Sequence, residues 1–226
     1  MARFVHRHTE MSIQAKGAWL SAMLSHVPDA VALTICFAAA PIASRNAREF
    51  VFAEAFQRAG YATLLVDGLT QYEEKRDPDS RFDVPKLADR LVSVVEWLHH
   101  QPHLGQLAYA ICASGTAAAA AVKAAAVVDP APFALICRAG RVDLAGASPL
   151  RANRIPLLAI AGGPADANRR PAEHAYALIE SAKHWHEVPN ASERFIEPGA
   201  LDEAASASLG WAERWRPATL DLAGNG

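Results

Sequence analysis

The chain has 226 residues, 51% apolar and 20% charged, with 22 basic against 24 acidic side chains for a net charge of −2. So many apolar positions exclude wholesale disorder and can fill one substantial core. The balanced charge supplies no electrostatic footprint for nucleic acid or an anionic membrane. Alanine alone takes 49 positions, more than a fifth of the chain.

In chain order, Ser12–Ala15 and Ala18–Leu24 flank Lys16-Gly17, which predicts a hairpin. Ala30–Phe37 is a continuous apolar run, as in a strand buried on both faces. Arg45–Ala59 sets Phe50, Phe52 and Phe56 among charges and stops at Gly60, a helix with a C-terminal glycine signal. Tyr61–Val66 is the next buried strand, and Leu69–Asp83, the most polar stretch, reads as an exposed loop. Pro85 opens a helix to about His100 with Leu87, Leu91, Val94, Val95 and Leu98 as its stripe. A strand over Leu107–Cys112, an alanine-rich helix over Gly115–Val128 and strands over Phe133–Cys137 and Pro156–Ile160 follow. The chain closes with a helix over Pro171–Lys183, a short strand over His184–Val188 and a helix over Ala200–Trp215, after which it reads as frayed.

A hairpin followed by β-α units predicts a doubly wound, mostly parallel α/β sheet in a single domain over 1–226, core about 12–215, with no cap domain. The longest apolar stretches, Ala30–Ala43 and Leu107–Val122, are short of the ~20 residues of a spanning helix or are interrupted by Pro41 and by polar residues. The N-terminus MARFVHRHTE has no apolar segment of a signal peptide, and Cys36, Cys112 and Cys137 are an odd number, widely spaced, in apolar runs. Reduced thiols and a cytoplasmic location are the expectation.

Open α/β sheets bind ligands at the carboxyl ends of their strands. The junction after Phe37, AAAPIASR, lacks the glycines that bring a backbone up to a pyrophosphate, and no phosphate-binding loop occurs elsewhere. The junction Cys112-Ala113-Ser114-Gly115-Thr116 can expose a nucleophile over a helix N-terminus, although neither glycine of G-x-S-x-G is present. Ser114 is equally well placed as a helix N-cap.

The segments AEAFQRAGYATLLVDGLT, RFDVPKLADRLVSVVEWLHHQP, CASGTAAAAA, CRAGRVDLAG, IPLLAIAGGPAD and VPNASERFIEPGAL run collinearly through nearly the whole chain. Together they resemble the dienelactone-hydrolase-like group of the α/β-hydrolase superfamily, including the hydrolase domains found fused to phosphoribosyltransferases. The resemblance implies an α/β-hydrolase fold and hydrolysis of a small ester, lactone or thioester. It places Ser114 at the nucleophile, Asp166 one residue past the acid, and Glu193 where a histidine belongs. The oxyanion H-G pair falls on Phe37-Ala38, so Ala38, Ala39 and Gly115 are its candidate oxyanion and substrate-binding positions. Cys112 is the alternative nucleophile, because true dienelactone hydrolases use a cysteine; counting from Trp97, the serine register needs fewer deletions.

A serine hydroxyl needs a base near pKa 7, and a glutamate near ~4.3 is a weak one. His184 and His186 lie on one face of the last strand, upstream of the loop that should reach the nucleophile, and read as structural. Arg138, Arg141 and Asp143 read as ion pairs pinning their loop. No metal or organic cofactor is implied. The chain is thus a hydrolase acting through Ser114, Asp166 and Glu193, or a catalytically degenerate member that binds a small ligand or a protein partner.

Overall fold

Eight strands form one sheet in the order β1-β2-β4-β3-β5-β6-β7-β8 in a computed structural model that describes residues 7–41, 48–164 and 166–218. The hairpin is β1 (Arg7–Ala15) and β2 (Ala18–His26), turned at Gly17 with φ 77°. β2 runs antiparallel to β4 (Ala62–Asp67). From β4 the sheet is parallel through β3 (Leu33–Ala38), β5 (Tyr109–Ser114), β6 (Ala134–Arg138), β7 (Leu157–Gly162) and β8 (Lys183–Val188). The parallel strands β3, β4, β6 and β7 are buried along their whole length, which is why they read as unbroken apolar runs rather than alternating ones. The fold is the expected α/β-hydrolase architecture, without a cap domain among the described residues.

Helices α1 (Arg48–Arg58) and α7 (Ala200–Trp215) cover one face of the sheet. Helices α3 (Val84–His99), α4 (Thr116–Ala125) and α6 (Arg169–Leu178) cover the other. Phe52 and Phe56 of α1 anchor the first layer, and the leucine–valine stripe of α3 anchors the second. Every alanine of α4 is buried, so its excess of small side chains lets this helix lie close against the strands and against α3. Two short helices, α2 (Gln71–Arg76) and α5 (Ala147–Ala152), complete the described elements of α type.

Three expectations change. The polar stretch 69–83 is not an open loop: it contains α2 and a 3₁₀ turn, Pro78–Phe82. Its start is a capping box, in which the Thr70 hydroxyl accepts from the Glu73 amide at 3.2 Å and the Glu73 carboxylate accepts from the Thr70 amide at 3.0 Å. The Thr-x-x-Glu spacing carried that signal in the sequence. α5 also occupies a stretch with no predicted element, and β5 ends two residues later than expected, at Ser114. Residues 42–47, which include the expected start of α1 at Arg45, lie outside the described residues, as do 1–6 and 219–226.

Glu73 also receives two bonds from the buried Arg90, at 2.9 and 2.7 Å, and an ion pair from Lys86 at 2.7 Å. Arg90 first, then Lys86 and the Thr70 amide, hold its carboxyl far below the usual carboxylate range. That stabilisation is complete above the ordinary Glu pKa of ~4.3 and is lost as pH falls through the lower folded value. Glu73→Gln should therefore cost about 1.5–3 kcal/mol at pH 7. In urea denaturation run as a pH series, the gap to wild type should be constant above pH ~4.3 and close in stronger acid.

Candidate functional site

The carboxyl ends of β3, β5 and β6 open into a cavity of about 540 Å³. Ala38, Ala39, Ala40 and Pro41 form one wall, Ser114, Gly115 and Thr116 the floor, and Arg138, Ala139 and Arg141 the opposite wall. Arg48 and Glu49 reach in from α1, Arg81 and Phe82 from the 3₁₀ turn, and Asn168 and Glu193 from later loops. Of the expected site residues, the structure thus brings together Ser114, Gly115, Ala38, Ala39 and Glu193.

Ser114 closes the face of β5 that carries Ala110 and Cys112, and this period-2 face looks toward α1. Its hydroxyl donates to Glu49 Oε1 at 3.2 Å, and Arg138 Nη2 donates to the same oxygen at 2.8 Å. Arg138 is 4% exposed and its guanidinium lies over the rings of Phe52 at 4.8 Å and Phe195 at 5.9 Å. A buried guanidinium needs a counter-charge, and Glu49 in the first turn of α1 supplies it, a favourable place for a carboxylate at a helix N-terminus. Sequence reasoning missed Glu49; a glutamate opening a helix gives no signal that it will meet an arginine 89 residues away. The expected pairing of Arg141 with Asp143 is present, doubly bonded at 2.9 Å, but Arg138 pairs with Glu49 rather than within its own loop.

The remaining candidates lie apart from this cluster. Both carboxylate oxygens of Asp166 are taken by backbone amides of its own loop, Gly162 at 3.0 Å and Asn168 at 2.8 Å, and Asp166 lines a separate small crevice with Cys137 and Trp185. Cys112 is buried below the floor opposite Cys36, its neighbour in the β3–β5 register. A thiol–thiol hydrogen bond between them, together with burial, raises the Cys36 pKa well above the ordinary thiol value. No histidine is among the described residues lining the cavity. His184 stacks on Trp211 with centroids 6.2 Å apart, and His186 Nε2 lies 3.2 Å from Glu203 on α7. Among the described residues no group of three His, Cys, Asp or Glu side chains is placed to hold a metal ion.

Backbone strain gathers here too. Gly115 has φ 57° and ψ −130°, between the end of β5 and the start of α4. Ala139, in the opposite wall, has φ 46°, and Phe195 beneath Arg138 has φ 52°, both in the left-handed region that L residues disfavour. The Gly115 amide, expected at an oxyanion hole, donates to the Arg138 carbonyl at 3.2 Å. The cavity's cations are largely neutralised: Arg81 pairs with Glu74 and Arg141 with Asp143, while Arg48 donates to the Arg194 carbonyl at 3.0 Å. Burial first, then Arg138, lowers the Arg48 pKa.

A dienelactone hydrolase from Anabaena variabilis superposes with a TM-score of 0.86 at 31% identity, covering 94% of this chain and 99% of that one. The chain belongs to the dienelactone-hydrolase family. Two curated Mycobacterium tuberculosis proteins that carry a phosphoribosyl transferase name are 37% identical over 186 residues, 82% of this chain. The chain spans 42% of the length of those relatives. The esterase domain of a Rhodothermus marinus protein shares the fold, with a TM-score of 0.73 at 17% identity over 92% of this chain and 99% of that domain. No family model matches the chain. Membership in this family supports a hydrolase-type function, and no helix of the described residues is long and apolar enough to cross a membrane.

Removing one member of a buried ion pair strands the other charge, whereas removing both can be nearly neutral. Glu49→Leu, which strands the buried Arg138, should cost about 3–5 kcal/mol in urea denaturation, and Glu49→Leu with Arg138→Met should recover most of that loss.

Proposed function

We propose that this chain keeps the small-ester pocket of its family and uses it to bind an ester, lactone or thioester without a covalent step. The observation that carries this reading is the commitment of Glu49. The group that holds the Ser114 hydroxyl is a carboxylate already neutralised by a buried guanidinium. Its Oε1 already accepts from the guanidinium, so Ser114 keeps its proton and can turn it from Glu49 to a ligand's carbonyl oxygen. Asp166, whose oxygens are held by its own loop, shapes the neighbouring turn in this reading, and Glu193 lends polarity to the rim.

A second reading, hydrolysis through Ser114, is favoured by the same hydrogen bond seen from the other side. There the Ser114 oxygen attacks the acyl carbon as its proton passes to Glu49. The ester C–O or thioester C–S bond breaks, and the alcohol or thiol leaves with that proton. Water then attacks the acyl-serine, releasing the acid and returning a proton to the Ser114 oxygen.

Two measurements separate them. In saturation-transfer NMR, dihydrocoumarin should give saturable signals with wild type that weaken about fivefold or more in Ser114→Ala, the loss of one hydrogen bond. With a fluorophosphonate probe and p-nitrophenyl acetate between pH 6 and 9, wild type should take no label and turn over no faster than Ser114→Ala. Labelling that vanishes in Ser114→Ala, with turnover falling on the order of 10²-fold in Glu49→Gln, would establish hydrolysis instead.

A further inference from the structure

In a strand–turn–helix elbow, the reacting side chain projects from the single strained residue between the end of the strand and the first turn of the helix. In this chain that residue is Gly115. β5 ends at Ser114, which still pairs in register with Arg138 of β6, and α4 begins at Thr116. Ser114 therefore has strand backbone, and its hydroxyl is directed sideways to Glu49 on α1. Gly115 alone carries the positive φ of the turn, 57° with ψ −130°.

The space in front of it is open. A Cβ built on Gly115 meets no heavy atom of the described residues within 4 Å, yet Gly115 is part of the cavity floor. The turn is also held on both sides: its amide donates to the Arg138 carbonyl at 3.2 Å, and its carbonyl accepts from the Arg141 amide at 3.0 Å. It is a fixed, preformed corner with no side chain on it.

We propose that Gly115, not Ser114, stands at the reacting position of this pocket, and that the carbonyl group of a bound ester, lactone or thioester occupies the space its missing side chain leaves. The proposal rests on the small-ester reading of the cavity. Only glycine lets a ligand approach the backbone so closely at this φ. The identity of residue 115 then decides two things, how deeply a carbonyl can seat and whether a nucleophile is present. A thiol placed there lies over the N-terminus of α4, which favours its thiolate. A thiol at 114 lies on the strand side of the turn and faces the Glu49–Arg138 ion pair, whose charges offset each other and give its thiolate no comparable help.

The experiment compares G115C with S114C. Both are alkylated with iodoacetamide from pH 6 to 9, with and without dihydrocoumarin, and the modified residue is located by mass spectrometry. The thiol introduced by G115C should react roughly tenfold faster at pH 7 than the one introduced by S114C. Saturating dihydrocoumarin should protect it. Equal or reversed rates in proteins with wild-type circular dichroism would overturn the proposal, as would alkylation of G115C unaffected by a ligand that NMR shows to be bound. G115A guards against a G115C chain that does not fold: it should weaken dihydrocoumarin binding at least fivefold, and unchanged binding overturns the proposal. Failure of wild type to bind dihydrocoumarin at all would remove the small-ester reading itself, whereas the order of the two alkylation rates reports on residue 115 alone.

Discussion

A guanidinium in the interior must be met by a carboxylate, and Arg138 at the end of β6 imposes that demand on everything around it. Glu49 answers from α1, and two phenylalanine rings, one from α1 and one from the loop after β8, present their faces to the cation. The same residue's carbonyl accepts from the amide of the turn at 115. One buried charge therefore ties together the position of α1, the packing of the Phe195 loop and the corner between β5 and α4. Such a pair contributes little net stability compared with apolar packing, and what it secures is a single arrangement.

That arrangement also sets the chemical character of the cavity. A family built for acyl transfer needs a proton acceptor that is available and an amide that can turn toward an oxyanion. Here the carboxylate nearest the hydroxyl is held by Arg138, and the amide of the elbow is held by its carbonyl. The groups at the floor of the cavity are thus engaged with one another.

The fold was legible because its signals are local and additive. The fully buried strands show as apolar runs, α3 shows a clean stripe, and α7 has the predicted bounds Ala200–Trp215. The polar stretch 69–83 was misread because composition hid a capping box whose Thr70–Glu73 spacing was present. The candidate site was only half legible. Ser114 came from the junction after β5, and Ala38, Ala39, Gly115 and Glu193 from the family resemblance, and all of them do meet in one cavity. Glu49 was not, since its partners lie 65 and 89 residues away and nothing local marks it. Nor could spacing tell which of Ser114 and Gly115 takes the strained turn, because small residues flank both, and the difference is a single step in strand length.

The two long walls of the cavity are unlike each other. Ala38, Ala39 and Ala40 present methyl groups on one side, while Arg138 and Arg141 face them across the floor. A molecule between the two walls meets methyl groups on the β3 side and two ion-paired arginines on the β6 side, so a guest with one apolar and one polar edge has a preferred way round. A ring seated this way keeps one edge toward each wall, so the lopsided lining orders a guest along a single axis.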